Sequence, residues 1–249
     1  MRNKTSIEIY NEDCLTGMNK VKDKSIDLIF TDLPYGTTDC SWDSIIPFNE
    51  LWNQYKRIIK DNGCILLFGT GIFFAELALS NKEWFRYELI WEKERPTNIF
   101  FLKKQFAKVH ESIAVFYKEQ PKYFPIMENR VFKSIGIFKG EKTSKTHDDQ
   151  TYKYSDDYDK TKTYPRSVLK FNRDTLKGSL HPTQKPVSLL EYLIKTYTEE
   201  GDLVLDSCMG SGSTMIACKS TKRNGIGFEI DEDIFKVAQN RIKKFNYLF

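Results

Sequence analysis

The chain has 249 residues, 40% of them hydrophobic and 29% charged, with a formal net charge of +4. That length suits one sizeable core, or one core carrying a smaller inserted lobe, and the composition is that of an ordinary soluble globular protein. No apolar run approaches the roughly 20 residues that cross a bilayer, which excludes a helical membrane protein, and the slight basic excess permits a nucleic-acid partner without demanding one.

Met1 to Thr5 leads straight into an alternating stretch with no apolar signal core, so the expected location is the cytoplasm. The five cysteines, Cys14, Cys40, Cys64, Cys208 and Cys218, are scattered and odd in number. They have neither metal-ligand spacing nor a disulfide pattern, so they read as reduced thiols and no metal is expected.

In chain order, Ile7 to Tyr10 and Asp27 to Phe30 read as strands, the second entering a loop at Thr31-Asp32. Phe48 to Lys60 has helical spacing, with Leu51, Trp52, Tyr55, Ile58 and Ile59 on one face and Gly63 as its terminator. Cys64 to Phe68 is a buried strand, Ile72 to Leu79 a short helix, and Tyr87 to Trp91 and Ser112 to Tyr117 further strands. From Lys118 to about Leu180 the periodicity fades; that stretch holds fourteen Lys/Arg against nine Asp/Glu, an excess of five. Alternation returns with a helix over Val187 to Tyr197, a strand over Leu203 to Asp206, a helix from about Ser213 and a strand over Gly225 to Glu229. Asp231 then caps a helix from Glu232 to Phe245. Strand–helix alternation at both ends implies an α/β fold with a doubly wound, mostly parallel sheet. The expected division is 1–117, an inserted region 118–180, and 181–249.

Two loops carry chemistry. The first follows Leu203 to Asp206 and contains Gly210 and Gly212 before a helix; Glu229 ends the next strand, nineteen residues beyond Gly210. Glycines there admit a ligand close to the backbone, and an acid at that spacing accepts ribose hydroxyls. The Gly-Lys-Ser/Thr of a nucleoside-triphosphate loop is missing, and Asp206 at the strand end disfavours a pyrophosphate while suiting a cation. S-adenosylmethionine (SAM), with an ammonium, a sulfonium and a ribose but no phosphate, fits; a tight turn that binds nothing is the alternative.

The second loop is Thr31-Asp32-Leu33-Pro34-Tyr35-Gly36, just past a strand. An exocyclic amine has its lone pair delocalised into the ring, so a site that methylates it must accept its hydrogens and hold the nitrogen in line with the methyl donor. Asp32 can accept one hydrogen and the Leu33 carbonyl the other; Pro34 stiffens the loop and Tyr35 offers a flat face to a base. Taken alone this is also an ordinary turn. A base inside a duplex reaches such a pocket only when flipped out.

Asp32-Leu33-Pro34-Tyr35 resembles the Asp-Pro-Pro-Tyr motif of the DNA amino-methyltransferases, and Asp206 to Thr214 resembles their cofactor motif. The order, catalytic motif first and cofactor motif last, is that of the circularly permuted beta class. Asn11 to Cys14 looks like the family's segment near the cofactor adenine, and His181 to Pro186 like the segment preceding the helix packed on the cofactor motif. The resemblance covers nearly the whole chain apart from its middle, and implies a SAM-dependent methyltransferase fold with a small inserted recognition lobe. It implies Asp32, Leu33, Pro34 and Tyr35 as catalytic residues, and Asp13, Cys14, Asp32, Lys185, Asp206, Ser207, Cys208, Gly210, Gly212, Thr214 and Glu229 around SAM. Leu33 departs from the family's first proline, which frees the loop's φ at that position and adds an N–H. Asp as the first motif residue leans towards N6 of adenine over N4 of cytosine; ring-carbon methylation needs a cysteine nucleophile, which in that family follows a proline, and the chain has no Pro-Cys pair.

The expected partner is double-stranded DNA, with a homodimer and a cognate restriction endonuclease left open. Lys133, Lys139, Lys142, Lys145, Lys153, Lys160, Lys162, Arg166, Lys170 and Arg173, interleaved with Tyr152, Tyr154, Tyr158 and Tyr164, could neutralise phosphates; several are expected to touch phosphate and few to read bases, with a solvated loop the alternative for most of the lysines. Lys93, Arg95, Lys103, Lys104 and Lys108 form a second basic cluster that either lines a DNA cleft or is a solvated face.

Overall fold

A computed structural model describes residues 5–36, 44–130, 161–174 and 184–245. Its elements are β1 (Ile7–Asn11), α1 (Cys14–Met18), β2 (Ile26–Thr31), α2 (Phe48–Ile58), β3 (Ile59–Gly69), α3 (Gly71–Ser80), β4 (Phe85–Glu92), β5 (His110–Phe116), β6 (Glu128–Asn129), β7 (Lys162–Thr163), β8 (Val168–Lys170), α4 (Val187–Tyr197), β9 (Leu203–Asp206), α5 (Ser213–Ser220), β10 (Asn224–Glu229) and α6 (Glu232–Phe245), with a 3-10 turn at Ile99–Phe101. Eight strands form one sheet in the order β1-β10-β9-β2-β3-β5-β4-β8. All neighbours are parallel except β5, which runs antiparallel to both β3 and β4.

The period-two geometry of the strands divides the core between the two faces. Leu28 and Phe30 of β2 and Leu66 and Phe68 of β3 point to the face covered by α4, α5 and α6. Their neighbours Ile29, Ile65 and Leu67 point to the face covered by α1, α2 and α3. This is the doubly wound α/β sheet expected from the alternation. Asp231 caps α6 as expected, its Oδ1 accepting the Asp233 and Ile234 N–H groups, both at 2.9 Å.

Two boundaries differ from the expectation. Gly63 does not terminate α2, which ends at Ile58; β3 begins at once at Ile59. Between the pairs Ile26↔Ile59 and Leu28↔Cys64, β2 advances two residues while β3 advances five. Gly63 belongs to this bulge, where a Cβ would meet the Ile59 side chain at 2.7 Å and the Asp27 carbonyl at 3.1 Å. The second difference concerns the insertion. One unit comprises Met1–Phe124 and Ser167–Phe249, the other Pro125–Arg166, in place of an insert spanning 118–180. Residues 118–124 and those after Arg166 go with the main unit because β8 pairs with β4 and the Phe124 N–H donates to the Thr196 carbonyl at 2.8 Å. Only Leu169 is buried in β8, too short an apolar signal to read as a strand. In the smaller unit, β6 and β7 pair antiparallel. Among the described residues no helix is long and apolar enough to cross a membrane.

Candidate active site

β1, β10, β9 and β2 lie side by side and parallel, so their carboxyl ends open on one edge of the sheet. That edge is where open α/β sheets bind ligands. A cavity of about 1040 Å³ lies there, lined by Asp13, Cys14, Asp32, Leu33, Pro34, Tyr35, Lys185, Asp206, Ser207, Cys208, Gly210, Thr214 and Glu229. Residues from both ends of the chain therefore share one concavity whose size reaches the top of the usual range for small-molecule sites.

Asp32 stands immediately past the fully buried β2. Tyr35 donates its hydroxyl to Asp32 Oδ1 at 2.6 Å, and its ring is tilted on Phe73 with centroids 4.8 Å apart. The Lys185 ammonium pairs with Asp32 Oδ2 and lies 3.3 Å from Glu111 Oε2. Glu111, from β5, is in turn paired with Lys93. Burial works against the Lys185 charge, but Asp32 and Glu111 outweigh it and hold its pKa above the ordinary lysine value. Burial likewise opposes ionised Glu111, and the Lys185 and Lys93 charges overcome it, leaving its pKa lowered. For Lys93 burial wins: its pKa is lowered despite Glu111, with Lys185 and Arg173 adding repulsion. The result is an alternating chain of charges, Asp32–Lys185–Glu111–Lys93, that fixes the carboxylate from behind while leaving it on the cavity wall.

The opposite wall is built by β9 and β10. The pairing Ile29↔Leu205 puts the residues just past β2 and β9 side by side, and the Ser207 N–H donates to Thr31 Oγ1 at 3.0 Å. The Ser207 and Tyr55 hydroxyls lie 2.6 Å apart. Glu229 accepts the Gly210 N–H at 3.0 Å and the Asp231 N–H at 2.9 Å, which shapes the glycine loop around its carboxylate. Burial nevertheless leaves its pKa raised, the backbone N–H groups opposing that rise. Asp206 is 3% exposed. Burial pushes its pKa up to about 7, against hydrogen bonds from Thr214 and the Cys208 N–H, with Asp32 adding repulsion. Asp13 caps α1, accepting the Thr16 N–H at 3.0 Å, and Asn11 donates to the Glu229 carbonyl at 2.8 Å.

The two glycines play different parts. Gly210 (φ +51°) lines the cavity, and a Cβ there would meet nothing within 4 Å, so the space above it is open to a ligand. Gly212 (φ +79°) does not line the cavity. Its missing Cβ makes room for Ala238 of α6, 3.2 Å away. The sequence places both in one motif, but only the first faces the site.

Some of the groups that organise the site carried no sequence signal. Tyr55 reads as one more apolar position on α2, Glu111 goes unmarked just before a strand, and Lys93 reads as one of a basic cluster. Asp174 caps α4 from outside, its Oδ2 accepting the Val187 N–H at 2.9 Å, and so anchors the segment that carries Lys185. Lys93 is buried in the charge chain and so is not a surface contact. Of the basic residues in the expected insert that are described, Lys170 pairs with Glu92 at 3.2 Å, Arg173 with Glu94 at 3.2 Å and Arg166 with Glu128 at 3.6 Å, while Lys162 donates to Asn129 at 2.6 Å. Lys133, Lys139, Lys142, Lys145, Lys153, Lys160, Tyr152, Tyr154 and Tyr158 lie outside the described residues, as do Cys40 and His181 to Thr183.

The model of the N6/N4 family, described as DNA methylase, matches residues 26–240. The chain is 29% identical over 263 residues to the type II methyltransferase M2.MboI of Moraxella bovis, covering 95% of this chain and 87% of that one. It is 26% identical over 246 residues to the type II methyltransferase M.HpaI of Haemophilus parainfluenzae, covering 92% and 72%. Among solved structures it superposes on the M1.HpyAVI–SAM complex with a TM-score of 0.61 at 25% identity, covering 94% of this chain and 99% of that one. It shares the fold of the cytosine-N4-specific PvuII DNA methyltransferase, with a TM-score of 0.68 at 16% identity over 98% and 92% of the two chains.

Proposed function

The chain belongs to the DNA methylase family, and from that premise we propose that it methylates the N6 amine of adenine in double-stranded DNA, reading the target after flipping it out of the helix. The family is SAM-dependent. The observation that carries the proposal is that Asp32 and the glycine-loop residues Gly210 and Glu229 line the same cavity, from opposite ends of the chain.

The residues present fit SAM. Open space above Gly210, the Glu229 carboxylate and buried Asp206 supply close backbone approach, a hydroxyl acceptor and an acid for a cation. SAM would be held by Asp13, Cys14, Asp206, Ser207, Cys208, Gly210, Thr214 and Glu229. When bound, it supplies a methyl group on a sulfonium, which leaves towards a nucleophile without further activation.

The chain's own residues act on the acceptor. Asp32 and the Leu33 carbonyl accept the two amine hydrogens, which turns the nitrogen lone pair out of conjugation and towards the methyl. Bound SAM would supply the methyl group, and the proton that the methylated nitrogen sheds would pass to Asp32, which already accepts that hydrogen, and from there to water. Tyr35 and Lys185 grip the two oxygens of Asp32, so the acceptor is aimed before the base arrives and little reorganisation is left for the reaction itself. Lys185 thus acts as a positioning residue for Asp32, from within the same cavity. The smaller unit at Pro125–Arg166 would contribute target recognition.

Incubation with methyl-labelled SAM and unmethylated duplex DNA, followed by nucleoside analysis of the digest, tests this. Label in N6-methyladenine is the expected result. Label in N4-methylcytosine would correct the base and keep the machinery; label in RNA alone, in competition at fixed salt, would overturn the assignment of the acceptor.

A further inference from the structure

The segment joining β4 to β5 enters the site as described only through Lys93 at its start, and beyond that residue it is unusual in two ways. Ile99, Phe100, Phe101, Leu102 and Phe106 are all exposed, Phe100 at 91% and Phe106 at 98%. Between Arg95 and Lys108 there are four cations, Arg95, Lys103, Lys104 and Lys108, and no acid. Contiguous apolar side chains in water are uncommon on a soluble domain and mark a contact surface.

The loop is built to hold these side chains outward. Asn98 clasps its two ends, donating to the Phe106 carbonyl at 2.9 Å and accepting the Lys108 N–H at 2.7 Å. The Thr97 N–H donates to the Lys108 carbonyl at 3.0 Å, and the Phe101 N–H to the Asn98 carbonyl at 2.9 Å. Much of the ordering entropy is therefore spent before any partner binds. The loop is also continuous with the active site, since Arg95, Pro96, Thr97 and Ile99 line its cavity.

Resting on the methyl-transfer reading above, we propose that this loop is the wedge that opens the duplex: Phe100 and Phe106 enter the base stack beside the target, filling the space left by the extruded base, while Lys103, Lys104 and Lys108 hold the flanking phosphates. Apolar wedges inserted between base steps are a general device for unstacking DNA, and a flipped base leaves a hole that an aromatic ring fills. The charge favours this occupant over a second copy of the chain. In a two-fold dimer the same patch meets itself, setting four cations against four.

The test begins by mapping the methylated position in DNA treated with the wild-type protein. Two duplexes carrying that site are then compared, one fully paired and one mismatched opposite the target base. Phe100→Ala, Phe106→Ala and the double variant should lose about ten- to a hundredfold in kcat/KM on the paired duplex, the scale of one lost aromatic–base stack. The mismatched duplex should restore most of it, because a mismatched base is already cheap to extrude. Phe100→Trp should retain activity, and SAM affinity and thermal unfolding should be unchanged in all of them, because both rings are exposed. Lys103→Ala with Lys104→Ala should reduce the salt slope of DNA binding by about 2. Equal losses on both duplexes would give the loop a structural role and overturn the wedge. Unchanged methylation, whether or not the variants lose binding to anionic phospholipid vesicles or shift from dimer to monomer, would also overturn it. A wild-type protein that methylates no DNA would fail at the first step, removing the reading on which the wedge rests before any variant is compared.

Discussion

Replacing Asp206 with Asn should stabilise the cofactor-free protein increasingly as pH rises. Asp206 ends β9 with its carboxyl buried, and burial raises its pKa from 3.8 to about 7 in the folded chain. The unfolded chain ionises it near 3.8. Between these two values the native state binds the proton and the unfolded state does not. Native stability is therefore fully present below the unfolded pKa, falls as pH rises through the window, and levels off above about 7. At ~1.36 kcal/mol per pH unit the whole window is worth ~4 kcal/mol, and the part between pH 5 and 8 about 2.5 kcal/mol. Asn does not titrate, and its amide can still accept from the Cys208 N–H, so exchanged hydrogen bonds add only a constant. Other titrating groups, Glu229 among them, are common to both proteins and cancel in the difference. Urea unfolding of both at pH 5, 6, 7 and 8 without SAM should show the variant's relative stability rising by about 2.5 kcal/mol. A difference that stays flat across that range would refute the reasoning. SAM should reverse the preference, because a cation beside Asp206 favours the ionised form. Wild-type SAM affinity should then strengthen about tenfold per pH unit up to about pH 7 and flatten above, whereas Asp206→Asn should bind more weakly and without that slope, as read by calorimetry.

Asp32→Ala should abolish methyl transfer while leaving SAM affinity within a few fold; binding lost with turnover retained would refute the role of Asp32 as acceptor, and equilibrium binding beside a methyl-label assay decides. Lys185→Met leaves Asp32 and Glu111 without the cation between them, so it should cost about 3–5 kcal/mol of stability, as broken buried pairs do, and turnover with it; an unchanged denaturation midpoint would show that the charge chain is not coupled to the fold. Gly210→Ala and Gly212→Ala should each cost about 1–2 kcal/mol through their left-handed backbone, but only the first should weaken SAM binding to the folded protein, because only Gly210 faces the cavity. Equal loss of SAM affinity in both would contradict that division.

The parts of the fold legible in the sequence were those with a long local signal. Leu28 to Phe30 in β2, Cys64 to Phe68 in β3 and Val204-Leu205 in β9 are apolar runs buried on both faces, and α4 and α6 carry clear amphipathic spacing. β8 offered three residues with one buried side chain and could not be separated from the polar stretch before it. Gly63 looked like a helix stop because glycine commonly ends helices; only the pairing partner Ile26 reveals that β3 starts at Ile59 and that the glycine serves a bulge. The residues expected at the catalytic loop and around the cofactor were legible as a set, and of these all but Gly212 line the cavity. What fixes them was not legible. The contacts of Lys185 with Asp32 and of Tyr55 with Ser207 join residues 153 and 152 positions apart, a separation at which periodicity says which way a side chain faces but not whom it meets. The β4–β5 loop shows the same limit: its lysines stood out, but that its phenylalanines are exposed depends on the Asn98 clasp.

The long-range bonds bear on how the reaction can be aligned. Asp32 follows β2 and the glycine loop follows β9, and these strands are direct neighbours in the sheet. Thr31, last in β2, accepts the Ser207 N–H just past β9, and Ser207 is held from the other side by Tyr55 of α2. The spacing between Asp32 and Asp206 is thus set by strand register and two buried hydroxyl contacts rather than by loop conformation. Methyl transfer needs donor and acceptor in line to within a fraction of an ångström, and an alignment built on paired strands is stiffer than one built on loops. The motion needed to admit a base must come from elsewhere. The charge chain Asp32–Lys185–Glu111–Lys93 ties the acceptor loop further into β4 and β5, so the same two strands that brace Asp32 also carry the exposed phenylalanine loop between them. On the proposed reading, opening of the DNA and aiming of the acceptor would both be anchored on the β4–β5 hairpin.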